Sequence, residues 1–83
     1  MTDNYYQQVK DLCALAPTKP GFRSQKYVVF KKRKYRGRER YIAGYSSARL
    51  YSHHMSGLTY ETILGYGDTP EGAIQMMKNK VKP

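Results

Sequence analysis

The sequence predicts an α+β fold in the order α-β-β-β-α, a two-layer arrangement in which a three-stranded antiparallel sheet packs on helices. Three observations predict it. Apolar residues recur at helical spacing near the start of the chain and stop at Pro17. The middle carries β-branched and aromatic runs separated by glycine-containing turns. A capped amphipathic stretch closes the chain from Thr69 onward. At 83 residues, the chain has room for one small domain spanning 1–83.

The first helix is expected over 3–16. Asp3 or Asn4 is placed to cap it, and Tyr6, Val9, Cys13 and Ala16 form its apolar stripe, with Leu12 beside them. A loop follows at 17–25, where Pro17-Thr18-Lys19-Pro20-Gly21 breaks both helix and strand. The first strand is expected over about 26–33, nucleated by Tyr27-Val28-Val29-Phe30. Lys31, Lys32, Arg33 and Lys34 come next, four cations in a row. Strand side chains alternate faces, so no register hides half of these in a core; the strand is expected to leave the core near Phe30 or project past it. Tyr35-Arg36-Gly37-Arg38 supplies a turn, with Gly37 free to take positive φ. The second strand is expected over about 39–50. The result is a hairpin with a packed base and a solvated tip, each arm reaching about 10–15 Å beyond the core.

The third strand is expected over about 58–66, with Tyr60, Thr62, Leu64 and Tyr66 on one face and Thr59, Glu61 and Ile63 on the other. Gly65-Tyr66-Gly67 ends it. Asp68 or Thr69 then caps a helix over 69–81, Pro70 suits its first turn, and Glu71 suits the positive end of its dipole. Ala73, Ile74, Met77 and Val81 form its stripe, and Lys78, Lys80 and Lys82 favour its last turn.

Charge is the functional signal. From Arg23 to Arg49 ten Lys and Arg residues face one acid, Glu39, for a net +9, while the rest of the chain sums to zero. The same segment holds Tyr27, Tyr35, Tyr41 and Tyr45. A focused basic block interleaved with aromatics suits a polyanion. The expected nucleic-acid-binding residues are Lys31, Lys32, Arg33, Lys34, Arg36, Arg38 and Arg40, with Arg23, Lys26 and Arg49 as flanking phosphate contacts and Tyr35 and Tyr41 as candidates for base stacking. Lys31 to Lys34 also fits a basic nuclear-localisation cluster.

Other chemistry is poorly represented. Glycines before the last helix suggest a phosphate loop, but Asp68 and Glu71 occupy its electropositive end. Adjacent His53 and His54 point to opposite faces if they lie on a strand, and no Cys or acidic cluster sits at ligand spacing, so no metal and no cofactor is expected. Cys13 falls on a helix stripe and reads as a small core residue. No enzyme is expected. One cysteine excludes an internal disulfide, no apolar run approaches the roughly 18 residues of a membrane span, and Met1-Thr2-Asp3-Asn4 resembles neither a signal peptide nor a myristoylation site. A cytoplasmic protein without membrane contact is the expectation.

The α-β-β-β-α order, with Gly65-x-Gly67-x-Thr69 and Ala73 leading into the last helix, resembles the double-stranded RNA-binding domain. The resemblance implies RNA contact through the first helix, through the loop between the first two strands, here Lys31 to Arg40, and through lysines opening the last helix. Thr69-Pro70-Glu71-Gly72 stands in place of those lysines. The same junction is similar to three-stranded-sheet DNA-binding domains of the plant and integrase-arm types, and to small sheet-plus-helix proteins with which phages disable host enzymes. Two functions are therefore expected as alternatives. One is a non-enzymatic nucleic-acid-binding module. The other is a small phage-type interaction or inhibitor protein that binds an acidic surface of a partner protein. A virion component whose basic arm packs against the genome is a third. Either sheet edge could pair with a second copy to give a homodimer.

Overall fold

The computed structural model describes residues 4–50 and 58–81. The expected His53 and His54 loop, Asp3 and Lys82 lie outside the described residues. The element order is α1 (Tyr5–Leu15), β1 (Tyr27–Tyr35), β2 (Arg38–Ser47), β3 (Tyr60–Gly67) and α2 (Pro70–Val81). The strands form one antiparallel sheet in the order β1-β2-β3, so the α+β reading holds. Both helices pack on the same face of this sheet, α1 over β1 and β2 and α2 along β3.

α1 buries Val9 and Cys13, and its C-cap Ala16 is buried beside them, as the spacing requires. The stripe is completed by Tyr5 and Leu12; Tyr6 points out and is 59 % exposed, a correction to the expected face. Positions 5, 9, 12, 13 and 16 follow the i, i+4 rows more closely than a stripe begun at 6. Asn4 occupies the N-cap without a side-chain cap bond. Ala16 turns to extended backbone (ψ 139°), the conformation that a following proline imposes.

The core lies between this helical layer and the sheet. Val9, Cys13, Ala16, Ala43, Tyr45, Ala73, Ile74 and Met77 are buried together, with Val28, Phe30, Tyr41, Leu64 and Val81 half-buried around them. Gly65 is required by the approach of α2, and Gly67 lies close under its first turn. A Cβ on Gly65 would stand 2.0 Å from the Ala73 carbonyl oxygen and 2.7 Å from the Met77 nitrogen. Thr69 caps α2 by accepting the Gly72 N–H at 3.0 Å, with Pro70 at the first helical position. Both glycines belong to β3, which runs one residue beyond its expected end.

β1 does not end with its apolar nucleus. It pairs residue by residue with β2 through all four cations, from Tyr27 opposite Ser46 to Tyr35 opposite Arg38. The expectation of departure near Phe30 is thus corrected, and the alternative of projection is met in part. Only three cross-strand pairs, 33/40, 34/39 and 35/38, lie beyond the last partner of β3, which is Tyr41 opposite Gly67. The projecting ladder and its turn reach about 10 Å. The physical reason is that one sheet face carries no helix, so alternate cations have somewhere wet to go. At the other end β2 stops at Ser47, short of the expected 50, although Arg49 still bridges to Phe22.

Candidate nucleic-acid interface

The helix-free face is built by register. Cross-strand partners share a face, so Val29, Lys31, Arg33 and Tyr35 of β1 stand with Arg38, Arg40, Ile42 and Gly44 of β2. β3 adds Glu61, Ile63 and Tyr66. Tyr66 reaches this face because the pairing shifts between Ala43 and Gly44: Ala43 faces Gly65 and Gly44 faces Ile63, leaving Leu64 as an extra residue. Strict alternation put Tyr66 with Tyr60 and Thr62, and the bulge overturns that grouping.

Ile42 is 0 % exposed although no helix covers it. Its register partners are Lys31 on one side and Tyr66 on the other, with Arg33 diagonal to it and Arg40 two residues before it on the same strand and face. Long cationic side chains lay their methylene stems on apolar surface and keep their charge in water. A small satellite core of Val29, Ile42 and half-buried Ile63 therefore lies under a cationic layer.

Two acids enter this layer from β3 and its end. Glu61 accepts from Arg33 Nη2 at 2.7 Å and sits 3.4 Å from Lys31 Nζ. Asp68 accepts from Arg38 Nη2 at 2.8 Å. The hairpin from Lys31 to Arg40 carries seven cations and Glu39; with Glu61 and Asp68 folded onto it, the local net charge is +4. Counting along the chain misses this, because these acids lie more than twenty residues downstream.

At the hairpin turn, Tyr35 and Tyr66 pack at 5.2 Å between ring centroids. The Arg36 guanidinium lies over both rings, and Arg40 lies over Tyr66 at 5.5 Å. A hydrogen bond with Tyr35, with the nearby Tyr66, holds the Arg36 guanidinium still further above its ordinary range. Arg36 has φ 53° and Gly37 φ 94°, the pair of positive values that a two-residue hairpin turn of type I′ demands. Gly37 was expected to take such a conformation, and Arg36 shares it.

The remaining expected residues are dispersed. Lys32, Lys34 and Tyr41 lie on the helix-side face of the hairpin. Lys32 rides over the Tyr41 ring, and Tyr41 stacks on Phe30 at 6.3 Å, which commits that ring to packing. Lys26 sits over the buried Tyr45 ring. Arg23 donates its backbone N–H to Ala48, and Arg49 lies over Phe22 and Tyr60. These three belong to the end of the sheet opposite the turn, about 25 Å from it along β1. Tyr66, Glu61 and Asp68 join the site only in the folded chain, Tyr66 through the bulge and the two acids across a long sequence separation.

Cys13 is buried and donates toward the Gly44 carbonyl at 3.3 Å. Burial pushes its thiol up, opposed by the charge of Lys26, which leaves little thiolate at neutral pH. Among the described residues, no three His, Cys, Asp or Glu side chains are grouped to hold a metal, and no helix is long and apolar enough to cross a membrane. The start of α2, where the double-stranded RNA-binding resemblance places lysines, instead presents Glu71, which accepts from the Tyr5 hydroxyl. Comparison of the chain with protein-family models, curated proteins and solved structures gives no match.

Proposed function

We propose that this protein is a non-enzymatic nucleic-acid-binding module that contacts phosphates through the hairpin Lys31 to Arg40. The observation that carries the reading is the +4 that the hairpin Lys31 to Arg40 retains after Glu61 and Asp68 are counted. Arg36, Lys32 and Lys34 are exposed and make no ion pair among the described residues, so no salt bridge competes with phosphate oxygens for their charge. Tyr35 is the aromatic at the tip, supported by Tyr66. Each neutralised phosphate releases counterions, so four contacts predict a slope of log K against log salt of about −3.6 on duplex DNA. Titration of labelled DNA and RNA at several salt concentrations tests this. Absence of binding at low salt would sink it.

A second reading, an interaction protein for an acidic partner, draws support from a separate place. A groove of about 640 Å³ between the C-terminal ends of α1 and α2 is lined by Leu12, Leu15, Pro17 and Val81 together with Lys78 and Lys80. Leu15 is 72 % exposed there. An apolar floor with lysines suits an acidic amphipathic segment. A pull-down before and after nuclease digestion separates the readings: a partner retained after digestion favours this one, and complete loss favours nucleic acid.

A further inference from the structure

We infer that the polyanion is B-form duplex DNA and that the hairpin enters its major groove as a two-stranded ribbon. This rests on the nucleic-acid reading above and specifies its ligand.

The argument begins with where the charge points. Beyond β3 the hairpin is a free ribbon with side chains on two faces. Arg33, Arg38 and Arg40 project on the helix-free face, and Arg36 leads at the turn. Lys34 projects on the other face, and Lys32 stands just behind it. The helix-free face also carries two acids, Glu61 on Lys31 and Arg33 and Asp68 on Arg38, and the other face carries Glu39 directly opposite Lys34. With Lys31 and Lys32 counted, the helix-free face keeps a net +2 and the other face a net +1. A ribbon meant for one row of phosphates would need cations on one face only. Cations on both faces fit two phosphate rows, one on each side, which is the situation inside a groove.

Dimensions then choose the groove. With its faces toward the two phosphate rows, the ribbon spans the groove by its thickness, which side chains on both faces set at about 10 Å, close to the B-form major groove, about 12 Å wide and 8.5 Å deep. The projecting length of about 10 Å matches that depth. The major groove of A-form RNA is too narrow and deep to be read this way. Single strands are disfavoured for another reason. They are held by stacking bases on free aromatic faces. At the tip, Tyr35 and Tyr66 pack against each other at a tilt, with Arg36 over both rings and Arg40 over Tyr66, and Tyr41 is taken up by Phe30. The half-exposed Tyr27 stands eight residues away along β1, too far to serve the same nucleotides.

The test compares duplex DNA, duplex RNA and single-stranded DNA of equal length at one ionic strength by fluorescence anisotropy. Duplex DNA should bind about tenfold tighter or better than either other form, and methylation of guanine N7, which lines the major groove, should weaken it. The double variant Lys32→Gln, Lys34→Gln removes charge only from the face away from Arg33 and Arg40. With its circular dichroism unchanged, its salt slope on duplex DNA should be shallower by about 1.8. Equal or tighter binding of duplex RNA or single strands, or an unchanged slope in the double variant, would overturn the inference while leaving a nucleic-acid-binding protein. Failure to bind any of the three at low salt would overturn the underlying reading as well.

Discussion

Replacing Glu61 with glutamine should tighten binding to a polyanion. Its carboxylate holds Arg33 at 2.7 Å and Lys31 at 3.4 Å, so one acid occupies two cations that phosphates would otherwise meet. Removing it takes the local net charge of the hairpin from +4 to +5. One further released counterion steepens the salt slope by about 0.9, from about −3.6 to about −4.5. Measured from a 1 M reference, that is about an eightfold gain in affinity at 0.1 M salt. The stability cost should stay within about 1 kcal/mol, because the pair is partly solvated. Labelled duplex titrated at several salt concentrations reads both slope and affinity. Glu39→Gln provides the control: it changes net charge equally but frees no ion-paired side chain, so it should gain less. Unchanged or weaker binding by Glu61→Gln, with the wild-type slope, would refute the placement of phosphates near Lys31 and Arg33.

Three further outcomes are expected. Gly65→Ala should cost about 3 kcal/mol or more in urea denaturation, because its Cβ would meet backbone atoms of α2 at 2.0 and 2.7 Å, whereas Gly67→Ala, whose nearest atom is 3.0 Å away, should cost less than about 1 kcal/mol. At the turn, Gly37→Ala should destabilise by about 1–2 kcal/mol through its positive φ, while Arg36→Asn should keep the turn and flatten the salt slope by about 0.9. The hydrogen bond from Tyr5 holds the Glu71 carboxyl below its ordinary range. A depressed carboxyl stabilises above its unfolded pKa and loses that contribution as pH falls through its folded pKa, so wild type should lose stability below about pH 4.5 by a component that Tyr5→Phe lacks; coincident acid transitions of the two proteins would contradict it.

Local chemistry made the elements legible. Pro17 ends α1, Thr69-Pro70 opens α2, and Arg36-Gly37 turns the hairpin, each through a constraint that acts within a few residues. Ala73, Ile74 and Met77 announced the buried face of α2 by spacing alone. The site was less legible because its decisive contacts are long-range. Glu61 and Arg33 are joined only after three strands have paired. Four cations in a row argued that the strand leaves the core or projects past it, because no register buries half of them. With one face wet, Lys31 and Arg33 instead cover Ile42. Tyr5 rather than Tyr6 joins the core because Leu12 belongs to the same stripe, and a face through 9, 12, 13 and 16 is centred nearer to position 5 than to position 6.

Leu64 gives β3 a change of phase. In the first half of the strand the odd positions, Glu61 and Ile63, belong to the helix-free face. In the second half the odd positions, Gly65 and Gly67, lie under α2, and Tyr66 turns toward Arg36 and Arg40. An unbroken strand would aim Tyr66 at the helix and leave two bare glycines among the cations. One surplus residue thus lets a single strand speak to both layers, smooth where a helix must lie close and aromatic where guanidinium groups need a platform. Length at this point is therefore information, and deleting one residue here would exchange the two surfaces even if every remaining side chain were kept.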